Sequence, residues 1–145
     1  MLTRRQWNAM RRHVRREAPL ETCGLLAGKE ARVEAVLPAR NAAQSPVRFR
    51  MEPREQWHAF RWIEDQGLEL LGVYHSHPAG PHQPSPTDVE EALYPVVHVI
   101  WALRAGKWQA RGYWIESRQV SEVTLEVVNL EQPCPHIRVT NCAQD

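Results

Sequence analysis

Two histidines stand one residue apart in the stretch GVYHSHPAGPHQPSPTD, residues 72–88, and four prolines separate them from an aspartate. In an extended segment residues i and i+2 point to the same side, so His75 and His77 can aim both imidazoles at one point. Two converging ring nitrogens make a metal pincer. Asp88 is the nearest carboxylate that a loop stiffened by Pro78, Pro81, Pro84 and Pro86 can return to that point. Two neutral imidazoles and one carboxylate leave the fourth corner of a zinc tetrahedron open for water, the layout of a catalytic zinc rather than a structural one. Water held there has its pKa lowered to roughly 7, so hydroxide is available at neutral pH. Blander readings fit the same residues. An isolated H-x-H also suits two exposed histidines at a strand end, and Ser85-Pro86-Thr87-Asp88 has the form of a helix capping box, with Ser85 as N-cap and Pro86 at the first helical position.

A zinc hydrolase also needs a group that takes a proton from water and hands it to the leaving amine, a task for a carboxylate in a partly desolvated place. Glu21, between the first helix and the apolar run CGLLAG, is the candidate. Periodicity does not single it out from the other glutamates, and the position equally fits an ordinary loop acid. Cys23 beside it reads as a small buried hydrophobe rather than a nucleophile. His98, in VVHVI, is expected to face a partner or solvent, and His82 to be an exposed loop histidine. Cys134, His136 and Cys142 have a spacing that matches none of the common zinc patterns.

These residues must be carried by regular elements. From Thr3 to Glu17 the apolar positions Trp7, Met10 and Val14 recur at helical spacing, ending near Ala18 before Pro19. TCGLLAG and ARVEAVLPA then read as a hairpin turning at Gly28-Lys29, with Val33, Ala35 and Leu37 on one face. Pro53 opens a second helix carrying Trp57, Phe60 and Ile63, which ends at Gly67. LELLGVYHSH has no polar face until its end and reads as a buried strand with both histidines at its C-terminal tip. A short helix PTDVEEAL follows, then strands VVHVIWAL and WQARGYWI joined across Arg104 to Lys107, and a last strand EVTLEVVNL. This order predicts an α/β domain, a mixed sheet with helices packed on it. The domain spans residues 1–130, and the aperiodic tail 131–145 is expected to be loosely attached.

The 145 residues fit one domain, and 43% hydrophobic residues can bury a core. The net charge of +1 argues against a polyanion-binding protein as a whole. Basic residues crowd the first helix as Arg4, Arg5, Arg11, Arg12, Arg15 and Arg16, read as a solvated face because the aromatic and glycine patterns of RNA-binding modules are missing. Most of the six tryptophans are expected in the core or on the sheet, with Trp57 and Trp62 open to a docking role. No secretory signal or membrane span is legible, and three irregularly spaced cysteines do not form a disulfide framework, so a cytoplasmic setting is expected.

PLETCGLLAG followed by GVYHSHPAGPHQPSPTD resembles the JAMM motif of the MPN metalloprotease family: a glutamate ahead of an apolar strand, then H-S-H-P, then S-x-x-D. The resemblance covers about residues 1–128. It implies a cytidine-deaminase-like α/β/α sandwich, one zinc held by His75, His77 and Asp88, Glu21 as general acid/base and Ser85 as an oxyanion donor. The family cleaves peptide or isopeptide bonds after the C-terminal glycines of ubiquitin or ubiquitin-like proteins. The short chain beyond Asp88 resembles small prokaryotic members acting on sulfur-carrier proteins with a diglycine end. Two rivals remain at this level: a catalytically silent MPN scaffold, and a non-haem iron enzyme, whose facial triad also uses two histidines and a carboxylate but whose double-stranded β-helix would be strand-rich.

Overall fold

A computed structural model describes residues 1–92 and 94–129. The tail 131–145, with Cys134, His136 and Cys142, lies outside the described residues. Thr3 caps α1 (Arg4–Glu17), its side chain accepting from the Gln6 amide while the Gln6 side chain accepts from Thr3 N, a reciprocal box that satisfies two otherwise orphaned donors. All six arginines of α1 are exposed, and Met10 and Val14 are fully buried on its other side.

After a two-residue strand β1 (Leu2–Thr3), β2 (Cys23–Lys29) and β3 (Arg32–Ala39) form the expected hairpin, but its turn lies at Glu30-Ala31, where φ is 51° and 64°. Positive φ at both central residues is what a two-residue hairpin matched to strand twist requires. Gly28 stays in the strand instead, paired with Val33, where a Cβ would run into the Arg32 carbonyl. The register shifts opposite Ala27 and Gly28, so that Glu34 is an extra residue. The bulge sends Val33 to the α1 side of the sheet, with Ala35 and Leu37 on the other. The single apolar face expected for β3 is thus split.

Helix α2 (Pro53–Asp65) carries proline at its first position and is followed by Gly67 at φ 68°. Strand β4 (Glu69–His77) lies at the centre of a six-stranded sheet of order β3-β2-β4-β5-β6-β7, antiparallel to β2 and parallel to β5 (Val96–Arg104). Short α3 (Pro86–Glu90) lies in the crossover between them. Strands β6 (Lys107–Glu116) and β7 (Gln119–Val123) continue the sheet through two-residue turns at Ala105-Gly106 and Ser117-Arg118. The predicted last strand, 122–130, is divided: β7 ends at Val123 and β8 (Val127–Val128) pairs in parallel with β1. Between them Leu125 leaves the sheet and packs over Gly112, where any Cβ would collide with it, to join the α1 core.

The sheet is covered by α1 over Leu26, Tyr74, Val99 and Trp101 on one face, and by α2 over Cys23, Leu25 and Ala27 on the other. This is the expected α/β/α sandwich, and it is not a double-stranded β-helix. Trp7, Trp101 and Trp108 belong to the α1 core and Trp114 lies on β6, whereas Trp57 and Trp62 are exposed on α2, as expected. No helix among the described residues is long and apolar enough to cross a membrane.

One glycine ties this packing to the site. Gly24 pairs with Tyr74, whose ring occupies the space a Gly24 Cβ would need and whose hydroxyl is 2.7 Å from His13 Nδ1. Gly24→Ala is expected to displace the ring and break that buried hydrogen bond, costing on the order of 1–3 kcal/mol, read as a lower denaturation midpoint in urea with an unchanged slope.

Candidate metal centre and proton-transfer site

Register and loop closure together assemble the centre. His75 pairs with Cys23 on one side and Ile100 on the other, deep in the sheet and fully buried. Two residues on, His77 reaches the strand end on the same face. The chain then turns so that Pro81 O accepts a hydrogen bond from His77 Nδ1 at 2.8 Å. That bond places the His77 proton on Nδ1 and leaves Nε2 with a free lone pair.

Asp88 arrives on α3, where it closes the expected capping box and also faces both histidines. Ser85 Oγ accepts from Asp88 N at 3.0 Å, and Asp88 Oδ2 accepts from Ser85 N at 2.9 Å. The same Oδ2 lies 3.1 Å from His75 Nε2 and 3.0 Å from His77 Nε2, with the two nitrogens 3.2 Å apart. The capping box is thus the device that orients the carboxylate. Three donors spaced this way converge on one point, close to the ~3.3 Å edge of a tetrahedron with ~2.0–2.1 Å bonds to zinc. Among the described residues, His75, His77 and Asp88 are the group of histidine, cysteine and acidic side chains able to hold a metal ion. The donor set fits a dication.

Charges within the group are strongly coupled. Burial lowers the pKa of His75, keeping it neutral. Burial also opposes charge on His77, but the hydrogen bonds to Asp88 and Pro81 and the charges of Asp88 and Glu21 outweigh it and raise its pKa. Burial works against the Asp88 carboxylate too, and is overcome by the His75 and His77 rings beside it and by the Ser85 amide, so its pKa falls well below the usual range. A proton therefore competes with a cation at His77 more strongly than at an ordinary histidine. Metal affinity is expected to fall about tenfold per pH unit once His77 is protonated, measured by competition with a chelator. Affinity constant to pH 5 would count against histidine ligation.

Glu21 is brought to the centre by the β2–β4 pairing. Thr22 N donates to Ser76 Oγ at 2.8 Å and Ser76 N donates to Thr22 O at 3.1 Å, which sets Glu21 level with His77. The carboxyl is buried at 4% exposure, and its Oε1 has no hydrogen-bond partner among the described residues. Burial is the main cause that raises its pKa to about 7, with His77 pulling it down and Asp88 pushing it up. A carboxyl poised there exchanges protons readily near neutrality.

Four neighbours complete the surroundings. Phe49, from the segment before α2, stacks on His75 with ring centroids 4.6 Å apart and 26° between planes. Its position in a polar stretch offers no spacing signal, and sequence reasoning missed it, as it missed the role of Ser76. Cys23 is buried and its thiol is pushed up to about 12, chiefly by burial, as expected of a non-nucleophile. His98 and His82 correct the sequence reading, since both are buried. His98 lies beneath the centre, its ring 6.4 Å from that of His75, because β5 runs parallel beside β4. His82 is folded inward with the proline-rich loop, its pKa lowered by burial and by Arg104 and Arg111.

The family profile described as prokaryotic homologs of the JAB domain matches residues 3–118. The chain is 38% identical over 125 residues to a CysO-cysteine peptidase of Mycobacterium tuberculosis, covering 83% of this chain and 86% of that protein. It is 40% identical over 111 residues to a desampylase of Pyrococcus furiosus, covering 74% and 76%. Over 92 residues it is 45% identical to a Thermus thermophilus protein named "Probable TtuB-protein conjugate cleaving protease", a match spanning 63% of this chain and 62% of that one. Among solved structures, a protein from Desulfitobacterium hafniense superposes with a TM-score of 0.79 at 35% identity, covering 90% and 94% of the two chains. A JAB1/MPN domain protein from Archaeoglobus fulgidus shares the fold, with a TM-score of 0.57 at 21% identity over 88% of this chain and 98% of that one. With its motif residues assembled on this sheet and most of its length matched, the chain belongs to the prokaryotic JAB-domain family of the JAMM/MPN fold.

Proposed function

We propose that the protein is a zinc-dependent peptidase or isopeptidase that cuts after the C-terminal diglycine of a ubiquitin-like or sulfur-carrier protein. The observation that carries this reading is the convergence of His75 Nε2, His77 Nε2 and Asp88 Oδ2 beside the buried carboxyl of Glu21, whose Oε1 has no partner among the described residues. Relatives named as a CysO-cysteine peptidase, a desampylase and a TtuB-protein conjugate cleaving protease support the substrate class. A zinc ion held by the three side chains supplies Lewis acidity, polarising the scissile carbonyl and acidifying a water molecule.

The chain's own groups do the rest. Asp88, pinned by the Ser85 amide, and His77, pinned by the Pro81 carbonyl, hold the donor geometry. Glu21 accepts a proton from the attacking water on its free carboxylate oxygen and returns it to the departing amine. Ser85 Oγ accepts from the Asp88 amide, which leaves its own O–H to donate to the developing oxyanion. A diglycine tail suits a centre at a strand end, because glycines let an extended backbone pass close to buried donors.

The test incubates zinc-loaded protein with diglycine-tailed carriers extended by single amino acids, and with diubiquitins, following products by mass spectrometry. Cleavage after Gly-Gly, abolished by chelation and cut sharply when either glycine is replaced by leucine, is expected. Unchanged cleavage of the leucine forms would remove the diglycine assignment, and no cleavage of any substrate would favour a silent scaffold.

A further inference from the structure

Asn41 follows β3 in a segment of irregular backbone, bridged to Met51 and only 7% exposed. Its amide makes contacts of two opposite kinds. Nδ2 donates to Glu21 O at 3.0 Å and to Arg48 O at 2.9 Å, with a longer 3.5 Å contact to Ser45 O. Oδ1 accepts from Ala43 N and from Arg50 N, each at 2.9 Å. All these partners are backbone groups, with carbonyls at one end of the amide and N–H groups at the other. An amide of this reach meets both demands at once; a carboxylate offers no donor and an alkyl group offers neither.

Two consequences meet at the metal centre. Glu21 is gripped on both sides, its N–H donating to Ser45 O at 2.8 Å and its C=O accepting from Asn41, while its carboxyl Oε1 has no partner among the described residues. Arg48, whose carbonyl shares Nδ2 with Glu21, and Arg50, whose N–H is held by Oδ1, flank Phe49, whose ring lies on His75. One buried amide therefore spans from the peptide of the proton-transfer residue to the segment covering a metal-binding ring. We propose that Asn41 is a positioning residue, fixing Glu21 and Phe49 relative to each other so that the carboxylate meets the reacting water in a productive orientation. This assignment rests on the reading of Glu21 as the proton shuttle.

Asn41→Asp separates the two halves of the clamp. It keeps acceptors for the Ala43 and Arg50 amides but sets a carboxylate oxygen against the Glu21 and Arg48 carbonyls. Asn41→Ser removes the reach to Glu21 without adding charge. Amide hydrogen exchange is followed in each variant at Glu21 and, as a reference, at Ile100 in the central strand. Both variants are expected to speed exchange at Glu21 at least tenfold while Ile100 is unchanged. On a Gly-Gly substrate, kcat is expected to fall ~10–100-fold, the scale of a small misplacement of a reacting group, with KM within about twofold and zinc content unchanged.

Unchanged exchange at Glu21, a loss confined to KM, or loss of zinc would overturn the assignment. Collapse of the fold in both variants would also overturn it, making Asn41 a residue of stability alone. Exchange needs no turnover, so a wild-type protein that cleaves nothing would sink the proposed function while the clamp on Glu21 is still decided.

Discussion

Glu21→Gln is expected to keep the fold and the metal while turnover falls by ~10²–10⁴-fold, the usual contribution of a positioned acid/base group. The amide preserves the shape of the side chain but cannot take a proton from water. Retained zinc, measured by atomic absorption, separates this outcome from loss of a ligand; loss of zinc would recast Glu21 as a ligand, and near wild-type turnover would make it a bystander. The same substitution carries a stability signature of opposite sign. Burial raises the Glu21 pKa from 4.5 to about 7. Below pH 4.5 the carboxyl is protonated in both folded and unfolded chains and costs nothing. Between these values the unfolded chain releases its proton first, and above pH 7 the folded state bears the full cost of a buried charge, on the order of 3 kcal/mol. With metal removed, Glu21→Gln is therefore expected to raise Tm at pH 8 by up to roughly 5–10 °C, and to leave it nearly unchanged at pH 4.5. If Glu21 is the proton shuttle proposed above, this cost is the exchange of stability for activity expected at a working site.

Asp88→Asn is the second large effect, and it divides the two duties of one side chain. An asparagine Oδ1 can still accept from Ser85 N, so α3 remains capped, but the anionic donor between the two histidines is gone. Zinc affinity is expected to drop by more than ~100-fold, beyond the loss typical of groups that only orient a ligand, and cleavage to disappear with it. Asp88→Ala should match that loss and add about 1 kcal/mol of destabilisation from the missing cap, seen in thermal unfolding of the chelated proteins. Stoichiometric zinc in both variants would place the metal elsewhere.

Much of the centre was legible because it is local. His75 and His77 share a face by strand alternation, and the prolines and capping box after them return Asp88 within a short stretch, so covalent proximity and stiffness do most of the positioning. The helix boundaries were readable for a similar reason, since Thr3, Pro53, Ser85 and Gly67 act through their immediate neighbours. The turn at Glu30-Ala31 was not: two non-glycine residues adopt positive φ there because the strands on either side demand it, while the nearby glycine serves a close backbone approach. The bulge at Glu34 and the divided final strand were hidden likewise, because each depends on which distant surface offers room.

Residue types and spacing by themselves determined the class of chemistry: two imidazoles and a carboxylate on a stiff loop at the end of an apolar strand, with a glutamate ahead of another. What only the tertiary structure decided was where Glu21 stands and in what state. The pairing of β2 with β4 brings Glu21 level with His77, and burial there shifts its proton affinity toward neutrality. The same holds for Asn41, Phe49 and His98, whose roles arise from hydrogen bonds and stacking between segments far apart along the chain. Such contacts leave no period in the sequence, because their geometry exists only once the sheet has been assembled.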